Sequence, residues 1–306
     1  MSSKAAITID EIRDSLKRSG YLLEARVERR LHKLGYFAEA NSAYTDPDSG
    51  KSRELDISAI GARKAGPESF DWVFPIVLVE CVNNPQPIAF ITKVPVVGSL
   101  HSEQVRCSGL PVKIRDSGRR DSWTSLGDYL GVEKFHHYCK GRVATQFCSF
   151  SKKRGSDDWM ASHEDSHFSA FATLCHALEH AVDDHYRAWR PGRKEWINVQ
   201  VYYPILVVQG ELLDVSQRGT DIAVRKASHI SFRRTVVRKG QETTYQIDVV
   251  TERQLSRLLR VVDDEVARMC RLLQRRRKVV RRSIDYTTRR LSRLRSASKI
   301  REELEF

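Results

Sequence analysis

The feature that most constrains this chain is a carboxylate in apolar company. Residues 73–82, VFPIVLVECV, form a near-continuous apolar run, as a strand buried on both faces requires. Glu80 sits inside it. A bare carboxylate there is costly unless it meets a cation or a hydrogen-bond donor. A second acid stands upstream. SRELDISAIG (52–61) alternates like a half-buried strand, with Leu55 and Ile57 on one face and Glu54, Asp56 and Ser58 on the other. The turn formers DPDSGK ahead of it predict a hairpin with the preceding YFAEANSAY.

The helices are read from apolar spacing and caps. TIDEIRDSLKRSG predicts a short helix, with Thr8 capping and Glu11 closing a capping box. YLLEARVERRLHKLG sets Leu23, Val27, Leu31 and Leu34 at helical spacing, and Gly35 ends it. A third helix, over 166–189, carries a wide apolar face from Phe168 to Trp189. After Gly240 no Gly or Pro interrupts the chain. Thr251 and Gln254 predict a helix start, and Leu255, Leu258, Val262, Val266, Met269 and Leu273 continue it as one stripe. Strands are expected at IAFITKV, RVATQFCSFSKK, WINVQVYYPILVV and in the pair SHISFRRTVV and TTYQIDVV. Between residues 98 and 160 the pattern is weak, with SWTSLGDYLG as a short helix.

Helix, hairpin with Asp56, buried strand with Glu80: in this order, residues 20–84 resemble the core of the PD-(D/E)xK nuclease superfamily, the restriction-endonuclease-like fold. The matching text is GYLLEARVERRLHKLGY, YTDPDSGKSRELDISA and IVLVECVNNPQP, about a quarter of the chain. The resemblance implies an α/β fold with a central mixed sheet flanked by helices. It also implies a divalent cation, Mg²⁺ or Mn²⁺, held by oxygen ligands for phosphodiester hydrolysis. Asp56 and Glu80 would be the ligands, with the backbone carbonyl of Cys81 as a third oxygen. Glu24 matches an acid contributed from the first core helix, and Glu28, one turn on, is the alternative.

Val82 departs from the pattern. A lysine is expected there, two residues after Glu80, to orient water and offset developing negative charge. Lys93 in FITK is the nearest downstream substitute and is taken as the fourth catalytic candidate; Lys51 and Arg53 in the hairpin are others. Asn84 faces the same side as Glu80 and offers a hydrogen bond but no charge.

Two histidine groups stand out. His176 and His180 lie at i, i+4 with Asp183 and Asp184 one turn on, a spacing that can bind zinc. Their place opposite the apolar stripe reads rather as a solvated face. His136, His137 and Cys139 in FHHYCKG read as loop or strand edge.

Charge points to a partner. Of the net +13, nine reside in residues 271–306, with thirteen Lys/Arg against four Asp/Glu, leaving +4 for the rest. Such a cluster suits phosphate backbones or an acidic surface. Nucleic acid, DNA before RNA, is therefore the expected partner, through residues 275–301, with a second copy of the chain or another protein left open. No apolar run reaches the roughly 18–20 residues that span a bilayer. The N-terminus shows no apolar signal core, and six cysteines without CxxC pairs fit reduced thiols in a cytoplasm.

The expectation is thus an α/β domain over 1–270 (core 20–100, extension 101–270) and a basic helical tail over 271–306. Its expected function is metal-dependent action on DNA, in defence or repair. The alternative is an inactive nuclease-fold module that binds nucleic acid or a protein.

Overall fold

The computed structural model describes residues 6–291, apart from 20, 68–69, 96–103, 111–112, 116–122, 154, 163–164, 189–195 and 239–240. Helix α1 (Ile9–Arg18) starts as its sequence requires. Thr8 accepts from the Glu11 amide, and the Glu11 carboxylate accepts from the Thr8 amide at 2.8 Å. Helix α2 (Tyr21–Lys33) buries Leu23, Val27 and Leu31, and Gly35 leaves it at φ +85°.

Strands β1 (Phe37–Thr45) and β2 (Ser52–Ile60) form the expected hairpin. The short β3 (Arg63–Lys64) and then β2 pair antiparallel with β4 (Trp72–Val82). Next come β5 (Ile88–Lys93), β6 (Cys107–Leu110), the ribbon β7 (Lys113–Arg115) and β8 (Trp123–Ser125), α3 (Leu126–Leu130), β9 (Val143–Lys152) and β10 (Trp159–Ser162). Helix α4 (Asp165–Ala188) crosses over to β11 (Asn198–Val208), which lies parallel to β4 along its whole length. Strands β12 (Leu212–Arg218), β13 (Asp221–Ala227), β14 (His229–Arg238) and β15 (Gln241–Thr251) follow. Thr251 opens a single 3₁₀ turn without a side-chain cap, and α5 (Leu255–Leu291) completes the described chain.

The protein is therefore α/β, with one large mixed sheet flanked by helices. The strand order is β1-β2-β4-β11-β15-β14-β9-β5-β12-β13, with β3, β6 and β10 beside it. This sheet cannot be flat. Five strand spacings separate β4 from β5, and five separate β11 from β12, about 24 Å each at 4.7–4.9 Å per spacing. The links are only residues 83–87 and 209–211, reaching at most about 21 and 14 Å. The sheet must curl, and the two chains turn the corner together. Gln209 N donates to Val82 O at 3.1 Å, Gly210 N to the Asn84 side-chain carbonyl at 3.0 Å, and Ile88 N to Glu211 O at 3.0 Å. A Cβ on Gly210 would stand 2.4 Å from the Asn84 carbonyl oxygen. Gly210→Ala is expected to cost about 2–3 kcal/mol in urea unfolding, because backbone meets backbone there.

Helix α4 packs on one face of the sheet through Phe171, Leu174, Leu178 and Val182, against Leu78, Phe90, Leu206 and Phe232. Phe168, expected in that stripe, is 54 % exposed, with the Arg234 guanidinium 4.0 Å from its ring centroid. Helices α2 and α5 cover the opposite face, against Val73, Val77 and Val79. The boundary expected at 271 falls inside α5, whose buried stripe runs on without a break to Val280 and Ile284. Arg277, in the basic segment, reaches Asp71 (1 % exposed) at 2.6 Å. Arg277→Ala is expected to lower stability by about 1–3 kcal/mol in thermal melts, since it strips a buried carboxylate of its charged partner.

Candidate functional site

The site grows from an irregularity that alternation conceals. Along β4, Val73, Val77 and Val79 face α2 and α5, whereas Ile76, Leu78 and Val82 face α4. Glu80 falls in the second set by parity. In β2, however, Ile57 and Ala59 pack on the α2 side and Leu55 on the α4 side. Leu55 and Ile57 were expected to share a face; the strand reverses its facing at Asp56. Its partner β1 does the same, with Ala38 on one side and Tyr44 on the other, about Asn41 at φ +52°. A left-handed conformation is uncommon outside glycine, and asparagine tolerates it best. The reversal turns the Asp56 side chain toward β4.

The ladder between β2 and β4 ends at Ile57–Val79. Beyond that pair, side chains replace backbone partners. The Cys81 amide donates to Asp56 Oδ2 at 2.7 Å, and the Asp56 amide donates to Glu80 Oε1 at 3.4 Å. Because N–H and C=O of one strand residue project to the same edge, the Cys81 carbonyl also faces this gap. The gap thus collects Asp56, Glu80 and a main-chain oxygen.

Glu24, on the first turn of α2, completes an acid trio. Burial pushes the Glu24 carboxyl up, and the Asp56 charge pushes it further. Burial likewise raises Asp56, against the Cys81 amide that lowers it. Glu80 is pushed up to about 8, by burial first and then by Asp56 and Glu24. Among the described residues, no lysine or arginine is among the charges acting on the three. Glu28 is not drawn into the gap; its carboxylate lies 4.0 Å from His32 on its own helix.

None of the positive groups sought from sequence stands there. Lys93 ends β5, paired in register with Val143, five strand places from β4. It makes no hydrogen bond or ion pair with the acids among the described residues. It stands at the end of β5, five residues beyond the corner at Ile88, about 16 Å along the strand. Lys93→Ala is expected to leave any divalent-dependent cleavage unchanged in a plasmid nicking assay. Arg53 is bound to Asp46 at 2.8 Å, and Lys51 is exposed at the hairpin end. Asn84 is buried and holds the corner through Gly210. Val82 packs into the α4-side core. Arg26 is held by Glu252 at 2.8 and 2.9 Å.

A second polar centre lies beneath α5. FHHYCKG, expected as loop or strand edge, forms a tight turn, His137–Cys139, under α5. His137 lies between two carboxylates. Its Nε2 is 3.0 Å from Asp248 Oδ2, and its Nδ1 is 3.0 Å from both Glu265 oxygens. His229 Nε2 is 2.7 Å from Asp248 Oδ1, and the Tyr138 hydroxyl donates to Asp248 Oδ2 at 2.9 Å. Asp248 is wholly buried in β15 and is held well below its usual range by the two histidines, in spite of burial. The sequence signal was available: Asp248 in YQIDVV repeats the anomaly of Glu80, an acid in an apolar strand.

His176, expected on a solvated face, instead meets the hairpin tip, 3.5 Å from Asp46 and 3.3 Å from Asp48. His180 stacks obliquely on Tyr44, with ring centroids 6.1 Å apart. Among the described residues, three sets bring one ligand atom each within 4.8 Å of one another: His136, His137 and Glu265; His137, His229 and Asp248; and Asp46, Asp48 and His176. The trio of Glu24, Asp56 and Glu80 is more open than that.

Comparison of the chain with protein-family models, curated proteins and solved structures gives no match. No described helix is long and apolar enough to cross a membrane.

Proposed function

We propose that this chain is a restriction-endonuclease-like protein that holds a divalent cation, Mg²⁺ or Mn²⁺, at Asp56 and Glu80 and hydrolyses DNA phosphodiesters. One observation carries the reading. The acid trio in the gap between β2 and β4 is pushed toward the neutral form by burial and by mutual repulsion, with no described cation to offset it. A hard divalent ion is the partner that such an oxygen set favours. The carboxylates of Asp56 and Glu80 and the Cys81 carbonyl would hold it, with Glu24 adding charge from α2. When bound, such a cation supplies a hydroxide-like nucleophile and stabilises charge on the phosphoryl oxygens.

Two further features support the reading. The order on which the resemblance rests is kept in space: helix α2, hairpin β1–β2 with Asp56, then β4 with Glu80 beside it. On α5, Arg271, Arg275, Lys278 and Arg282 are exposed at steps of four, three and four residues, a stripe along one helix face. Such a stripe suits a phosphate backbone. The test is incubation of the purified protein with Mg²⁺ or Mn²⁺ and supercoiled, linear or single-stranded DNA. Cleavage that needs the divalent ion and disappears in Asp56→Asn is expected. Cleavage that survives this substitution would refute the assignment.

A specific observation favours a second reading. Val82 packs into the core where a lysine would project, and neither Lys93 nor Arg53 takes its place. In this reading the fold binds nucleic acid or a protein and cuts nothing. Its signature is salt-sensitive DNA binding, indifferent to Mg²⁺ and weakened by Arg275→Gln with Lys278→Gln. Each removed phosphate contact should flatten the slope of log K against log salt by about 0.9.

A further inference from the structure

The buried centre beneath α5 is remote in sequence from the acid trio and independent of it. Its chemistry differs too, with nitrogen as well as oxygen donors. One ligand atom each from His137, His229 and Asp248 lies within 4.8 Å of the others. Asp248 Oδ1 is 3.2 Å from His137 Nε2 and 2.7 Å from His229 Nε2. Ligands that share a tetrahedral ion at 2.0–2.2 Å stand roughly 3.3 Å apart, so small side-chain movements admit an ion between these atoms. The other side of His137 is equally specific. Its Nδ1 faces the Glu265 carboxylate at 3.0 Å. An Nδ1–H donated to that carboxylate leaves the Nε2 lone pair free for a metal, the usual outer partner of a ligating histidine. Tyr138 steadies the remaining Asp248 oxygen.

Charge and space complete the argument. Asp248 and Glu265 are both buried (0 % and 5 % exposed). In the neutral form that ligation requires, the two imidazoles leave the double negative charge of the carboxylates, which one divalent ion cancels in place of bound protons. His137 and His229 also line a cleft of about 610 Å³, rimmed by Lys140, Arg142 and Arg268. Asp248 is wholly buried and does not line the cleft, so the cleft reaches the cluster through its two histidines. We infer that His137, His229 and Asp248 form a zinc-class metal site, with Glu265 as the outer partner of His137 and one coordination position open to the cleft. Two imidazoles with one carboxylate favour zinc over the Mg²⁺ or Ca²⁺ that an all-oxygen set takes.

The experiment is metal binding by full-length protein, purified without a histidine tag and stripped with chelator. One equivalent of Zn²⁺ should survive gel filtration, and Co²⁺ should give the visible absorption of a four-coordinate site. His229→Ala, at the exposed edge of the cluster, should weaken binding by at least about 100-fold, and Glu265→Gln by about 10–100-fold. Asp56→Asn should leave this equivalent in place, which separates the two centres. X-ray absorption of the zinc-loaded wild type needs no variant and should show two imidazoles in an N/O shell. The inference is overturned if the wild type retains no zinc, as when a proton alone holds the cluster together. It is equally overturned if folded His229→Ala binds zinc as well as wild type, or if the absorption spectrum shows sulfur ligands or no imidazole.

Discussion

Replacing Glu80 with glutamine is expected to make the cation-free protein more stable at pH 8 while leaving it nearly unchanged at pH 5. Glu80 titrates near its ordinary 4.5 in the unfolded chain and near about 8 in the fold. Between those values the folded protein holds a proton that the unfolded chain has released. Stability is therefore greatest below about pH 4.5 and falls as pH rises toward 8, where the buried group must ionise. At about 1.4 kcal/mol for each tenfold change, the full displacement corresponds to roughly 5 kcal/mol. Repulsion is shared with Asp56 and Glu24, and water reaches the gap, so about 2–4 kcal/mol is the expected gain for Glu80→Gln at pH 8. Urea unfolding of wild type and variant at pH 5, 6.5 and 8, in chelator, measures it. The two curves should diverge as pH rises. Parallel curves would mean that Glu80 ionises freely and that the gap has no use for a cation.

The second large effect is on chemistry. Asp56→Asn removes one charge from the gap but keeps the size of the side chain and an oxygen to accept the Cys81 amide. It is thus expected to fold, to keep the facing reversal about Asn41 and to lose divalent-dependent DNA cleavage by about 100-fold or more. Glu80→Gln should lose as much, and the double variant little beyond either, because the two acids act as one ligand set. DNA affinity in chelator should hold in all three, since the exposed stripe of α5 is untouched. A loss of affinity matching the loss of cleavage would place the defect in DNA binding rather than in the cation site.

Much of the scaffold was legible because its signals are local. The run VFPIVLVECV could only be an inner strand, and β4 lies between β2 and β11. The stripe from Leu255 onward had no Gly or Pro to stop it, and α5 runs to Leu291. Glu80 stood out because a carboxylate in such a strand needs a reason. What escaped depends on distant contacts. The reversal at Asp56 breaks the period-two rule without any residue that announces it; only Asn41 tolerates its backbone, and asparagine is common in ordinary turns. The curl follows from a strand order that no local pattern encodes. The histidine centre joins His137 to a glutamate 128 positions away and to an aspartate 111 positions away. FHHYCKG therefore read as loop or strand edge. For Lys93 the same holds: nearness in sequence across a sharp corner does not fix nearness in space.

The most direct measurement of the central claim is calorimetric titration of Mn²⁺ into the His229→Ala protein, which silences the second centre. It is run at pH 7 in two buffers of different ionisation enthalpy. Glu80 is mostly protonated at that pH, so a cation that takes its carboxylate must expel the proton. Binding with release of about one proton, lost on adding either Asp56→Asn or Glu80→Gln, is the expected result. Binding without proton release, or binding that survives both substitutions, would contradict a cation site between β2 and β4.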